Sequence, residues 1–313
     1  MPELPPSRIV AVVVTFNRRA LLERLLAELV TTEGLAEIVV VDNASTDGTA
    51  AWVLSLVEER GTSVSKPALH LVALDTNTGG AGGFHTGIET AIDRGADLVW
   101  LMDDDGVPAP DCLARLLEHA FDFWGPAVLA EQDPTRLCFP IRLPGRARVV
   151  HQLSEVEAAA VDGVIADIVI PFNGVLITRA LVEKIGLPRE EFFIWGDDVE
   201  YRLRAEQAGL GIATVVNAHF LHPATDDLGT PMMFGLTTYN HSPSDLKHYC
   251  MARNNVVNLR AYRGWLAVIA FLVKTVWFYL FTRPQPRRVA MSAGAAVAGL
   301  RGDFTGHRRY LGG

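Results

Sequence analysis

Three consecutive carboxylates, Asp103, Asp104 and Asp105, follow the apolar run Leu98–Met102 and precede Gly106. Like charges in a row repel one another unless a cation or several hydrogen-bond donors neutralise them. On an extended segment alternate residues point the same way, so Asp103 and Asp105 are expected to converge on one ion while Asp104 faces elsewhere. Hard carboxylate oxygens suit Mg²⁺ or Mn²⁺, ions that also take ligand oxygens from a substrate diphosphate. The bland alternative is a polar turn ahead of a helix capped by Asp111. A second acidic pair, Asp197 and Asp198, opens a helical pattern, a place that the helix dipole favours on its own account. Asp42 and Asn43 close another apolar run, where a carboxylate and an amide can read the edge of a base or a ribose. Ser45, Thr46 and Asp47 then supply an N-cap. Asn77, Thr78 and the glycines from Gly79 to Gly83 are expected to form a turn whose backbone N–H groups let a ligand come close. His219 and His222 lie near the end of this region, although a lone histidine is more often a loop residue than a metal ligand.

Buried strands are expected at Ile9–Val14, Ile38–Val41, His70–Ala73 and Leu98–Met102, each an apolar, β-branched run. Helical spacing covers Ala20–Val30, Thr49–Glu59 and the stretch up to about Arg94. That alternation predicts an α/β fold with a parallel sheet and helices on both faces. The polar residues gather at the carboxyl ends of strands, where open sheets of this kind bind their ligands. From about Phe121 to Ala166, turn residues such as Pro134, Pro140, Pro144 and Gly145 separate short apolar pieces, and mixed strand and loop is expected. Beyond it come Ile168–Phe172, then Asn173 and Gly174, then Val175–Thr178, a helix over Arg179–Lys184, a helix over Asp197–Ala208 closed by Gly209, and a strand near Ile212–Val216.

The chain has 313 residues, 49% hydrophobic and 20% charged, which suits a large globular domain and excludes a disordered, collagen-like or disulfide-stapled chain. Its three cysteines are widely spaced, so neither a disulfide framework nor a zinc site is encoded and a reducing, cytoplasmic setting is expected. The net charge of −8 hides a split: from Lys247 onward eleven Lys or Arg stand against Asp303 alone, leaving +10 there and −18 in the first 246 residues. This is not the footprint of a nucleic-acid binder, but a basic tail suits an anionic membrane surface. The run Ile9–Val14 is too short for a signal-peptide core, so the protein is expected to stay on the cytoplasmic side. The apolar stretch Trp265–Phe281, interrupted by Lys274, is flanked by Arg260, Arg263, Arg283, Arg287 and Arg288. It is marginal for crossing a hydrocarbon core about 30 Å thick. Aromatic ends and basic flanks fit a helix lying in the interface, the alternative being an ordinary buried helix.

The succession VVVTFNR, VVDNASTDGT, DTNTGGAGGF, WLMDDDG, FNGVLITR, FFIWGDDVEYRLRAEQAG and FLHP resembles the family 2 inverting glycosyltransferases over roughly residues 8 to 223. NTGGAGGF with DDDG is most similar to the galactofuranosyltransferase branch, enzymes that extend a polyprenyl-diphosphate-linked glycan from a UDP-sugar. The resemblance implies a GT-A, Rossmann-like catalytic domain over 1–225, with a helical, basic, membrane-associating region over 226–313. It implies that Asp42 contacts the uracil, that Thr15 and Arg18 meet the nucleotide end of the donor, and that Asn77 and Gly80 line the uridine pocket. Asp103 and Asp105 would bind Mn²⁺ or Mg²⁺, Asp104 would lie nearer the donor, and His222 would complete the metal site, with His219 as its rival. Asp198 would be the catalytic base beside Asp197. Trp195 would stack on the acceptor, although Gly196 separates it from the acidic pair, whereas related enzymes place the tryptophan directly before it. A peripheral position on the cytoplasmic face of the cell membrane follows, with a lipid-linked glycan acceptor and no nucleic-acid partner. The alternatives are a rhamnosyltransferase or other hexosyltransferase, a sugar nucleotidyltransferase, for which Arg18 and Arg19 are thin phosphate-loop material, and a non-catalytic glycan-binding scaffold at the membrane.

Overall fold

Seven consecutive buried residues form the central strand β1 (Ile9–Thr15) of the computed structural model, which describes residues 7–60, 67–143, 145, 149–224 and 229–311. Pro144 and the boundary expected at 225/226 lie outside the described residues. Successive side chains of β1 leave on opposite faces. Ile9, Ala11 and Val13 enter one core with Leu22, Leu25, Leu26 and Leu29 of helix α1 (Arg19–Leu29). Val10, Val12 and Val14 enter a second core with Phe84, Ile88 and Ala91. A strand covered on both sides needs apolar residues at every position, which is why no polar alternation shows in the sequence.

The chain folds as two compact units, the first comprising residues up to Glu190 together with Tyr201–Ala224. After α1 the first unit continues through β2 (Leu35–Asp42), α2 (Thr49–Arg60), β3 (Ala68–Ala73), α3 (Gly79–Asp93), β4 (Leu98–Asp103), β5 (Val107–Pro108) and α4 (Cys112–Leu117). Then come β6 (Phe123–Ala130), β7 (Asp133–Arg142), β8 (Val149–Gln152), α5 (Leu153–Glu157), β9 (Val164–Ala166), β10 (Asn173–Thr178), α6 (Arg179–Ile185), α7 (Asp197–Gln207), of which the residues up to Glu200 belong to the second unit, and β11 (Ile212–His222). The sheet runs β3-β2-β1-β4-β10-β6-β11-β5. β3, β2, β1 and β4 are parallel, β10 enters antiparallel between β4 and β6, and β11 returns parallel to β6.

Several expectations change in the folded chain. The glycines from Gly79 to Gly83 are not an open turn but the first residues of α3. A Cβ on Gly83 would collide with Val14, and one on Gly87 with Val12, so these glycines let α3 lie close on β1. Of the segment from Ile168 to Thr178, the part from Asn173 onward is a strand, and Phe172 before it has φ +58°. The strand expected near Ile212–Val216 runs on as one element to His222, with a register irregularity between Val215 and His219. Asp47 caps α2 through Thr49 N at 3.2 Å, as expected of that string, whereas Asp111 makes no side-chain cap for α4 and pairs with Arg115 at 3.2 Å. All three cysteines are buried free thiols.

The second unit comprises Glu191–Glu200 and the chain after Ala224. It holds the hairpin β12 (Thr230–Met232) and β13 (Thr237–Tyr239), then α8 (Asp245–Tyr262), α9 (Trp265–Trp277) continuing as a π-helical turn to Thr282, and α10 (Pro286–Arg301). Ser244 caps α8 by accepting Lys247 N, and α10 starts on Pro286 and stops at left-handed Gly302, the usual placement of these two residue types. Tyr239, Met251, Phe278 and Tyr279 form its main core, and Tyr239 Oη lies 2.9 Å from Thr275 Oγ1.

Gly83→Val should force α3 off β1 and destabilise the first unit by about 1–3 kcal/mol, the usual penalty for overpacking. Equilibrium urea unfolding measures it, and an unchanged midpoint would refute the close-packing role.

Candidate active site

Thr15, Asp42 and Asp103 stand at the carboxyl ends of β1, β2 and β4, because Thr15 pairs with Asp42 in register and Asp103 with Val14. The chain leaves the strand after Asp103, so Asp104 and Asp105 lie in a turn. Extended alternation therefore does not govern Asp105, and Asp104 does not point away from it: one Arg18 nitrogen reaches Asp104 Oδ1 at 3.1 Å and Asp105 Oδ2 at 2.8 Å. Asp104 is 3% exposed and also accepts a hydrogen bond from Thr15 Oγ1 at 2.6 Å. Burial raises its pKa, the Thr15 and Arg18 contacts opposing without prevailing. Burial pulls the Arg18 guanidinium down, but Asp104 and Asp105 more than offset that and raise it. Thr15, Arg18 and Asp104 are thus one bonded network.

Asp105 faces β11. Gly106 admits the ring of Phe220 where a Cβ would collide with it, and Val107 and Pro108 pair antiparallel with Leu221 and Phe220. This close approach sets His222 Nε2 3.1 Å from Asp105 Oδ1. It is His222, not His219, that meets the carboxylate; His219 lies opposite Ala127 in the β6 register. Asp105 Oδ1 is a buried oxygen with no aligned hydrogen-bond donor, so carboxylate and imidazole meet as a close pair whose attraction is electrostatic. Burial lowers the His222 pKa, yet Asp105 and Cys138 outweigh it and push it up to about 10. Burial raises Asp105, and His222 and Arg18 prevail to hold it below its ordinary value. Asp103, desolvated and beside the charges of Asp105 and Asp104, is pushed up to about 8. An added cation would relieve that crowding. Among the described residues no three His, Cys, Asp or Glu side chains stand close enough together to hold a metal ion.

Asp42 is 2% exposed, and its Oδ1 accepts from Ser45 N at 3.3 Å. Asn43 does not present its amide to a ligand: Nδ2 donates to Gly79 O at 2.8 Å and Oδ1 accepts from Thr78 N at 2.8 Å, tying β2 to the start of α3. Asn77 Oδ1 accepts from Gly79 N at 2.8 Å and helps start the same helix. A Cβ on Gly80 would meet open space, so packing makes no demand for glycine there. Cys138 Sγ lies 3.5 Å from His222 Nδ1, a contact between residues 84 positions apart that carries no sequence signal.

Trp195, Asp197 and Asp198 belong to the second unit. Trp195 is partly buried against the Met232–Tyr279 core and has φ +68°. Asp197 is 6% exposed, Asp198 is partly exposed, and both open α7, where the helix N-terminus favours acids. Arg253, Asn254 and Asn258 of α8, which sequence reasoning passed over, bond the carbonyls leading into this pair. The one available signal was the run Arg253-Asn254-Asn255, with Asn258 one turn beyond Asn254, between apolar neighbours.

The family model described as Glycosyl transferase family 2 matches residues 10–135. The chain is 32% identical over 289 residues to "Galactofuranosyltransferase GlfT1" of Mycolicibacterium smegmatis, covering 87% of this chain and 90% of that protein. It is 36% identical over 221 residues to the protein of the same name in Mycobacterium tuberculosis, covering 67% and 70%. The crystal structure of GalNAc-T7 with UDP, GalNAc and Mn²⁺ superposes with a TM-score of 0.58 at 13% identity, over 92% of this chain and 55% of that one. The shared fold is that of the GT-A glycosyltransferases.

If Asp105 and His222 hold a divalent cation, Asp105→Ala and His222→Ala should each weaken Mn²⁺ binding at least about tenfold, as losses around metal sites do. Calorimetric titration with Mn²⁺ reads this without any substrate, and wild-type affinity in both variants would remove the assignment.

Proposed function

The chain belongs to glycosyltransferase family 2 as a homologue of the mycobacterial galactofuranosyltransferases, and from that premise we propose that it moves galactofuranose from UDP-galactofuranose to a polyprenyl-diphosphate-linked glycan with inversion. The reaction class rests on the family match, and the site that supports it is the Asp105–His222 contact at the carboxyl edge of the sheet. The donor sugar rests on the relatives, one of which aligns over 87% of the chain.

Mn²⁺ or Mg²⁺ held by Asp105 and His222, with Asp103 beside them, would place positive charge on the departing diphosphate. Arg18, fixed by two carboxylates and 45% exposed, adds a permanent charge and N–H donors for phosphate oxygens. Thr15 and Asp104 hold Arg18 and the end of β1 in place for the donor. Asp42 accepts from the uracil N–H, and the start of α3 at Asn77 and Gly80 closes the uridine pocket. Asp198 takes the acceptor hydroxyl proton as that oxygen bonds to the anomeric carbon and the bond to UDP breaks. Asp197, the more buried of the pair, serves the helix start. One displacement needs no enzyme nucleophile, and inversion follows from attack opposite the leaving group. Trp195 is the acceptor-stacking candidate.

The acceptor's lipid stays in a bilayer, so the enzyme has to work at a membrane, here the cytoplasmic face. The 18-residue stretch Trp265–Thr282 has a mean hydropathy of 1.8 and is 22% buried, unlike a core helix. Leu266, Ile269, Val273, Val276 and Leu280 recur on one exposed face, a stripe suited to lying in the interface, while the flanking arginines attract anionic lipid.

Asp198→Asn should keep UDP affinity and lose turnover by about 10²–10⁴-fold, the contribution general-base catalysis makes, with Asp197→Asn milder. A panel of UDP- and dTDP-hexoses assayed for metal-dependent transfer to a short lipid-diphosphate acceptor tests the reading, and turnover with dTDP-rhamnose alone would replace the proposed donor. The reverse ranking of the two variants would move the base.

Full-length protein should float with anionic liposomes at low salt and less at high salt, and the double variant Leu266→Asp, Ile269→Asp should stay in the soluble fraction. Flotation that is equal for both proteins would discard the membrane face.

A further inference from the structure

The segment that carries the acidic pair is poorly suited to holding its own shape. Phe193, Trp195 and Gly196 all have positive φ, +66°, +68° and +90°, and for the two aromatic residues that conformation is strained. Such strain persists only where the surroundings over-determine it. Here they do so through a polar row on α8, in a place where apolar residues would be expected. Arg253 is fully buried, and its hydrogen bonds go to Phe192 O at 2.8 Å, Glu191 O at 3.5 Å, Phe304 O at 2.9 Å, His307 Nδ1, Cys250 Sγ and Asn254 Oδ1, none of them a carboxylate. Asn254, also fully buried, turns its amide group to three carbonyls, Phe192 O at 3.0 Å, Ile194 O at 3.2 Å and Trp195 O at 2.7 Å. Asn258 Nδ2 donates to Gly196 O at 2.8 Å. Gly196, which interrupts the usual Trp-acid-acid spacing, takes φ +90°, a conformation that glycine adopts without strain, and a Cβ there would make ordinary contact with Asn254 and Asn258 at 3.4 Å.

Burying a guanidinium without a carboxylate is unfavourable, and an apolar helix face would pack α8 with less difficulty. The polar row does something an apolar face cannot: it fixes the carbonyl directions of Phe192, Ile194, Trp195 and Gly196, the last of which accepts the first backbone hydrogen bond of α7 from Glu200 N at 3.0 Å. We propose that Arg253, Asn254 and Asn258 are positioning residues that set how α7 begins, and thereby where the Asp198 carboxylate points. This rests on Asp198 as the base, and it adds the device that orients it.

Asn254→Asp tests this in the full-length protein, because it keeps size and shape while turning an oxygen toward three carbonyl oxygens. The expected result is a fall in kcat of about 10²-fold, the scale of loss from about 1 Å of misplacement, with KM for the UDP-sugar and metal-dependent UDP affinity near wild type. Amide hydrogen exchange across 193–198 should accelerate in the same variant while the rest of the protein keeps its protection. Asn258→Ala, which loses the Gly196 contact alone, should give the same split with smaller amplitude, and it carries the test if Asn254→Asp does not fold. Unchanged exchange over 193–198 in a folded variant overturns the proposal whatever the activity. Faster exchange with unchanged kcat overturns the link to catalysis, and loss of donor affinity in step with kcat shows general damage and overturns it too. Wild-type protein that transfers no sugar defeats the glycosyl-transfer reading itself, while the exchange measurement still decides whether α8 orders the segment.

Discussion

Negative charge concentrated at the end of a buried strand is the constraint that organises the first unit. Three carboxylates follow β4, and each finds a different environment. Asp104 sinks into the protein and is met by Thr15 and Arg18; Asp105 is met by Arg18 and His222; Asp103 is met by too little and rises to about 8. Hydrogen bonding alone leaves part of this crowding of carboxylates unrelieved.

Much of the surrounding architecture serves the approach of parts that the charge requires. β11 has to come close to the aspartate turn to bring His222, and Gly106 and Gly174 clear the space for Phe220 on that strand. Helix α3 has to lie close on β1, and Gly83 and Gly87 allow it, so that Asn43 can join the end of β2 to the start of α3. Glycines in this protein thus mark close packing as well as turns. The distinction matters within the glycine-rich string itself, where packing on β1 accounts for Gly83 while Gly80 meets open space.

The second unit inverts the usual distribution of polarity. Helix α8 buries His248, Arg253, Asn254 and Asn258, while α9 leaves Leu266, Ile269 and Val273 exposed. Soluble proteins seldom do either without a reason. Buried amides and a guanidinium give direction to a strained backbone, which dispersion contacts cannot do. An exposed apolar stripe between arginines has no stabilising role inside the chain, and its energy is available to a surface outside it.

Sequence alone determined the elements whose signal is local. The four parallel strands, α1 and α2 follow from apolar period and turn residues, and the triple aspartate announces itself by electrostatic improbability. The basic, apolar tail is legible in the same way, as is the order of motifs that marks the family. What only the tertiary structure decided are pairings between residues far apart in the chain. Thr15 and Asp104 lie 89 positions apart, and no periodicity states that one hydroxyl will neutralise one carboxylate. The choice of His222 over His219 depends on a strand irregularity and on Phe220 fitting over Gly106. The dedication of Asn43 to α3 depends on a helix that begins earlier than its glycines suggest. Arg253, Asn254 and Asn258 looked like ordinary polar residues of a helix, because burial, which turns such residues into constraints on a distant backbone, is a property of packing rather than of composition.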